Sequence, residues 1–161
     1  YAYLDTRLLE QEDHQPDVQT AGGPVAGVTY TPIAKVGDEL PFAPDHSFVA
    51  SLNYRLPLAD HFGGVSVGAT YAYTGRQRAS ASGSSPFEVF EPRALLNLNL
   101  NWARIFATPL NFSLFATNVL DEQYPTFIGG TYYTLGVESQ QIGLPRMVGA
   151  RLRYDFGETG D

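Results

Sequence analysis

Strict two-residue alternation constrains this chain more than any other feature. Over Arg93–Ala103, Leu96, Leu98, Leu100 and Trp102 alternate with Asn97, Asn99 and Asn101. Side chains of an extended strand point to opposite faces with a period of two, so this run is a strand with one apolar face and one amide face. Amides buried away from water need partners, and a wet surface supplies them. The pattern recurs. His46–Leu58 sets Phe48, Ala50, Leu52, Tyr54, Leu56 and Leu58 against Ser47, Val49, Ser51, Asn53 and Arg55. Val65–Gly75 sets Val65, Val67, Ala69, Tyr71 and Tyr73 against the small residues Ser66, Gly68, Thr70, Ala72 and Thr74. Pro145–Phe156 sets Val148, Ala150, Leu152, Tyr154 and Phe156 against Met147, Gly149, Arg151, Arg153 and Asp155. Tyr1–Glu12 alternates less cleanly. Pro109–Leu120 has apolar residues on both faces, Phe112 and Leu114 against Phe115 and Val119, which leaves its inward face open.

Six strands follow, and their connections alternate in length. Asp13–Asp45, Arg76–Pro92 and Asp121–Leu144 are long; Ala59–Gly64 and Phe106–Pro109 are short. Outer-membrane barrels have short periplasmic turns and long external loops. Their strands need about 9–11 residues, which matches Val65–Thr74 and Ala94–Ala103, and neither of these runs holds a charge. Aromatic residues stand near strand ends at Tyr71, Tyr73, Trp102, Tyr154 and Phe156, where interfacial girdles are expected. The fold class expected is therefore all-β, as antiparallel transmembrane barrel strands. Alternation by itself also suits a secreted β-sandwich. Loop alternation and uncharged strand centres favour the membrane.

Charged residues make up 17% of the chain, below the roughly 25% of a soluble domain. The formal net charge is −7 and Lys35 is the only lysine, which argues against nucleic acid as a partner. No cysteine is present, so a disulfide framework and thiolate metal sites are excluded. The chain opens inside a strand with no signal peptide in view, so the expectation is that an export signal was removed or that an N-terminal part lies elsewhere. The histidines, His14, His46 and His61, are far apart in sequence, and no nucleophile, Walker or zincin motif occurs. No enzyme activity, metal site or cofactor is expected, and Asp60–His61 reads as a solvated turn.

Several words then carry a family resemblance. Leu114–Tyr124 reads LFATNVLDEQY, and Gly143–Phe156 reads GLPRMVGARLRYDF. Upstream stand YAYLDTRL at the start and GDELPFAPDHSF at Gly37–Phe48. In this order and spacing they resemble the C-terminal end of TonB-dependent outer-membrane receptors. Each word has a local physical sense: Asn118 and Asp121 bond their own backbone and stop a strand, and Pro145 suits a strand's first residue.

The resemblance implies a barrel of 22 strands filled by an N-terminal plug, of which this chain is the last six strands. It implies a Gram-negative outer-membrane location, lipid contact, coupling to a TonB complex, and uptake of a siderophore-like small ligand. It also implies that the long loops face outward and that Phe156 lies near the periplasm. Family members commonly end at the terminal aromatic residue, whereas here Gly157–Asp161 follow. Tyr154 and Phe156 are the assembly or girdle candidates. Loop aromatics Tyr30, Phe87, Phe90, Phe127, Tyr132 and Tyr133 are candidates for stacking on a ligand, with loop-on-loop packing as the plainer role. Arg151, Arg153 and Asp155 are the lumenal charges, suited to an anionic ligand or to plug carboxylates. Arg146 is expected at the outer rim as an interface contact. A complete small barrel with an extra hairpin at Val25–Tyr30 and Ile33–Val36, acting as a pore or adhesin, is the main competing reading.

Overall fold

The computed structural model describes residues 1–10, 36–80 and 87–157, apart from the side chains of Tyr133 and Thr134. Ordered along the chain, the elements are β1 (Ala2–Tyr3), β2 (His46–Arg55), β3 (Gly64–Thr74), β4 (Gln77–Arg78), β5 (Val89–Phe90), β6 (Arg93–Ala103), β7 (Leu110–Thr117), β8 (Pro125–Ile128), α1 (Tyr132–Leu135), β9 (Gln140–Ile142) and β10 (Met147–Tyr154). Six of them form one sheet in the order β1-β2-β3-β6-β7-β10. Every pairing in that sheet is antiparallel. The other four strands form two small hairpins, β4/β5 and β8/β9, inside the long loops. The six-strand count from sequence thus describes the sheet and misses these loop hairpins. Residues 11–35, with Tyr30, His14 and nearly all of the alternative hairpin, lie outside the described residues.

Register turns the alternation of single strands into two continuous faces. Leu52, Ala69, Leu98, Ala116 and Val148 follow one another across β2, β3, β6, β7 and β10. One row away on the other face stand Asn53, Gly68, Asn99, Phe115 and Gly149. The undecided strand is thereby settled: Phe112 and Leu114 join the apolar face, and Phe115 stands on the polar one. Gly149 makes room for it, since a Cβ there would lie 2.3 Å from Phe115 Cζ. An aromatic ring laid across a cross-strand glycine also shields that strand's backbone.

The expected first strand is shorter than Tyr1–Glu12. Ladder pairing is limited to Ala2 with Ser47 and Tyr3 with His46. The facing segment explains this: Pro41 and Pro44 have no N–H to give, and Phe42 has a left-handed φ of 57°. Only scattered bonds continue upward, such as Leu8 N–H to Asp38 O at 2.9 Å and Gly37 N–H to Leu8 O at 2.8 Å. Pro57 likewise follows closely on the end of β2 at Arg55, short of the expected Leu58.

The two short turns press against each other at one end of the sheet. Gly63, at φ 82°, allows this approach, because a Cβ would sit 2.3 Å from the carbonyl oxygens of Ala103 and Arg104. Trp102 Nε1–H donates to Phe62 O at 2.7 Å. Phe106 packs on Trp102 and Phe62 at ring distances of 5.5 and 6.2 Å. At the opposite end Phe48 meets Tyr71 at 6.3 Å, and Tyr1 and Tyr3 meet His46. Aromatic rows therefore bracket the apolar band at both ends.

The band has membrane dimensions. β3 has 11 residues; at about 3.4 Å per residue and a tilt of about 45°, it rises roughly 24 Å, close to the ~25 Å apolar band of such barrels. The apolar face is bare: Leu52 is 68% exposed and Leu152 67%. Among the described residues the buried hydrophobic side chains are Phe90 and Ile128, both in the loops. A sandwich would bury this face against a second sheet, and the described residues contain no such sheet. An exposed apolar surface this large calls for lipid or another partner.

Substitutions on neighbouring residues separate the faces. Leu98→Arg is expected to lower the urea-unfolding free energy in phospholipid vesicles by about 2–4 kcal/mol. Asn99→Arg is expected to shift it by less than about 1 kcal/mol. Equal costs at the two positions would contradict the assignment of faces.

Candidate functional site

Two regions of this sheet can do chemistry of recognition: the polar wall and the loops above its far end. The wall is lined by short polar groups. Ser51 and Thr70 hydroxyls bond each other at 3.2 Å. Asn53 and Asn99 lean over Gly68, where a Cβ would meet their Oδ1 atoms at 2.6 and 2.3 Å. Nearer the short turns, Arg151 and Arg153 project from β10 on this same face. Arg153 Nε–H donates to Asp155 at 2.7 Å, and Asn111 Nδ2–H donates to the same carboxylate at 2.8 Å. Of the three charges singled out from sequence, Arg153 and Asp155 thus neutralise each other, and Arg151 is exposed on the wall. Tyr154 and Phe156 lie beside each other at 4.7 Å at this end, with Phe156 90% exposed.

The loops at the far end carry their own small core. Phe90 packs on Phe42 at 5.8 Å, which joins the first long loop to the second. Phe42 N–H also donates to Arg78 O at 2.9 Å, and Arg78 pairs with Glu39. Phe87 packs on Tyr132 at 4.8 Å, which joins the second loop to the third. Glu88 is buried and accepts from the Ser80 hydroxyl. Glu138 accepts from the backbone N–H groups of Thr131, Tyr132 and Ser139, and so shapes the turn around α1. The loop aromatics are therefore brought together only in part. Phe87 and Tyr132 touch, Phe90 is buried at 4% exposure, Phe127 is 53% exposed, and Tyr133 lies in α1.

A third arrangement, which sequence reading found only in its local part, joins the last two strands at their outer ends. Asn118 is buried at a φ of 49°, a left-handed conformation that Asn tolerates better than most residues. Its Oδ1 accepts from Glu122 N–H at 3.0 Å, and its Nδ2 donates to Glu122 O at 2.9 Å and to Leu144 O at 3.1 Å. Asp121 accepts from Arg146 N–H at 3.3 Å and pairs with its guanidinium at 3.4 Å. The Tyr124 ring lies so close to Gly143 that a Cβ there would be 2.3 Å from Cζ. Arg93 lies over the Tyr124 ring, 4.8 Å from its centre, and donates to Pro125 O at 3.2 Å. Asn118, Asp121 and Tyr124 of one sequence word thus grip Leu144, Arg146 and Gly143 of the other. The long-range half was invisible in sequence because it links residues 19 to 26 positions apart. Arg146, expected at an interface, serves as half of this ion pair.

This geometry accords with what comparison with known proteins finds. A family model described as TonB dependent receptor-like, beta-barrel matches residues 1–144. The chain belongs to this family. The family is one of outer-membrane receptors and transporters rather than enzymes. Among solved structures, the chain is similar to the ferric yersiniabactin uptake receptor FyuA from Yersinia pestis. The two share 20% sequence identity at a TM-score of 0.64, over 76% of this chain and 18% of that one. The likeness is one of fold, and the chain spans less than a fifth of that receptor's length. No curated protein matches the sequence.

Asn118→Ala removes both halves of the outer corner's amide clasp and places Ala at a left-handed φ. Its expected cost is about 1–3 kcal/mol for the buried groups left without partners. Amide exchange at Glu122 should quicken in parallel. Asn118→Asp keeps the acceptor for Glu122 N–H and should lie between Ala and the wild type. Unchanged exchange at Glu122 in the Ala variant would refute the clasp.

Proposed function

We propose that this chain forms the last six strands of a plugged receptor barrel of 22 strands that takes up a ferric siderophore with energy from a TonB complex. The observation that carries this reading is an open six-stranded sheet with one apolar and one polar face, roofed at one end by packed loops. The smallest outer-membrane barrels have about eight strands, so six leave the wall open and require further strands beside β1 and β10. Family membership supports strands, plug and energy coupling supplied by the rest of the gene product. In this arrangement β10 runs toward the periplasm, the paired short turns lie at the periplasmic rim, and the loops face outward.

The ligand in this reading meets the loop roof before it meets the wall. Phe127 offers an exposed ring, and the touching Phe87 and Tyr132 offer a second aromatic surface. Such rings stack on planar catecholate or aromatic chelating groups. Tyr30 and Tyr133 are the remaining proposed contacts, while the burial of Phe90 suits it to hold the roof together. The siderophore assignment draws support from the fold neighbour, itself a ferric yersiniabactin uptake receptor. Transport changes no covalent bond in the ligand, so the chain's work is to bind, orient and let pass.

Growth under iron limitation tests this reading. Deleting the gene should slow growth when a ferric siderophore is the only iron source, and iron starvation should raise the protein's level in outer membranes. Unchanged growth together with iron-independent expression would contradict the siderophore assignment and favour another small ligand.

A further inference from the structure

The second long loop meets both of its neighbours through one short run. Residues 87–90 lead into β5, which pairs with β4. Glu88 and Phe90 are buried in this run, while Phe87 is half exposed. On one side Phe90 takes the ring of Phe42 at 5.8 Å, and Arg78 pairs with Glu39 at 3.4 Å. On the other, Phe87 takes the ring of Tyr132 at 4.8 Å. The Glu88 carboxylate also lies against the third loop, where a Cβ on Gly130 would touch its Oε1 at 3.8 Å. Ala79 N–H donates to Glu88 O at 2.9 Å, and the Ser80 hydroxyl donates to the Glu88 carboxylate. The residue that faces the third loop is thereby tied to the hairpin's other strand.

Phe42 holds a backbone conformation that its side chain disfavours. Its φ of 57° is left-handed, an outlier for a bulky residue. Such a conformation persists where surrounding contacts over-determine it. The hairpin supplies two of them: Arg78 O accepts the Phe42 N–H at 2.9 Å, and Phe90 takes its ring. The bend of the first loop therefore depends on the hairpin. The turn of the third loop is fixed from within, by Glu138 on the Thr131 and Tyr132 N–H groups and by Gly129 N–H on Ser139 O at 2.8 Å. Tyr132, at the start of α1, is where that turn meets the hairpin.

We propose that the β4/β5 hairpin is a keystone that makes the three long loops one cooperative unit, so that a change at Phe42 in the first loop is felt at the turn around Tyr132 in the third. Independent loops open one at a time, each with its own free energy. In a keyed unit the third loop opens with the hairpin and shares its opening free energy. Coupling of this kind is reciprocal: the third loop acts on the first by the same factor. A ligand that settles on Phe87 and Tyr132 then steadies the first loop without touching it. The inference rests on contacts within the roof and not on the ligand assigned to it, so it can fail while the receptor reading stands.

Hydrogen exchange at single amides, in the full-length protein reconstituted in bilayers, tests the proposal. Phe42→Ala should quicken exchange at Ala79 in the hairpin and at Gly129 in the third loop alike, by about tenfold, the scale of one aromatic pair and the area it covers. Tyr132→Ala should quicken Ala79 and Phe42 by a similar factor. Ladder amides of β6 should exchange as in the wild type, which shows the barrel intact. Phe42 is 58% exposed, so its truncation opens no cavity in the band. Glu39→Gln leaves every ring in place and should quicken the same two amides, Ala79 and Gly129, about twofold; it carries the test should Phe42→Ala fail to assemble. Quickening at Ala79 with Gly129 unchanged, in either first-loop variant, would overturn the keystone. So would a Tyr132→Ala variant whose Phe42 amide exchanges as before.

Discussion

A backbone in hydrocarbon has no water to bond, so each N–H and C=O within the band must find its partner in the sheet. That demand shapes the rest of this molecule. It sets β2, β3, β6, β7 and β10 in unbroken antiparallel register, and register then decides what each side chain can touch. With a period of two, a one-residue slip would turn Leu96, Leu98 and Leu100 toward the polar wall and the asparagines toward lipid. The two faces are thus a consequence of the ladder, and the ladder is specified by the faces. A core in the usual sense is not needed. The solvent on one side takes its place, and the only buried hydrophobic side chains among the described residues sit in the loops.

Much of this was legible in the amino-acid sequence, for a physical reason. Strands such as Arg93–Ala103 meet two uniform media, so each residue reports its own face without reference to neighbours. Where that condition fails, so does the reading. Pro109–Leu120 looked two-sided because Phe115 stands over Gly149 on the polar wall, a pairing that only register discloses. Tyr1–Glu12 alternated less cleanly, and its ladder stops at Tyr3 because the segment opposite holds Pro41 and Pro44, which have no N–H to give, and Phe42 at a left-handed φ. The loops have no uniform medium on either side. Their small hairpins and the burial of Phe90 arise from contacts between distant segments, and composition carries little trace of those.

The rims show how the ends of a two-dimensional structure are finished. At one end Gly63 lets two turns touch, and Trp102 fastens them through Phe62 O. At the other, the Asn118, Asp121 and Tyr124 contacts bind the end of β7 to the entry of β10. Two of the family words in the sequence, Leu114–Tyr124 and Gly143–Phe156, are therefore physical fastenings for this strand pair. The rims and band thus hold geometry, and in the proposed reading recognition falls to the exposed roof.

The central claim is that consecutive residues of β6 face different media. Spin labels placed singly at 96 through 101, in the protein reconstituted in bilayers, measure this directly. The account predicts that labels at 96, 98 and 100 are reached by oxygen dissolved in the lipid, while those at 97, 99 and 101 are shielded from it. Oxygen accessibility that does not alternate along this strand, or a polar reagent that reaches 96, 98 and 100 as freely as their neighbours, would contradict it.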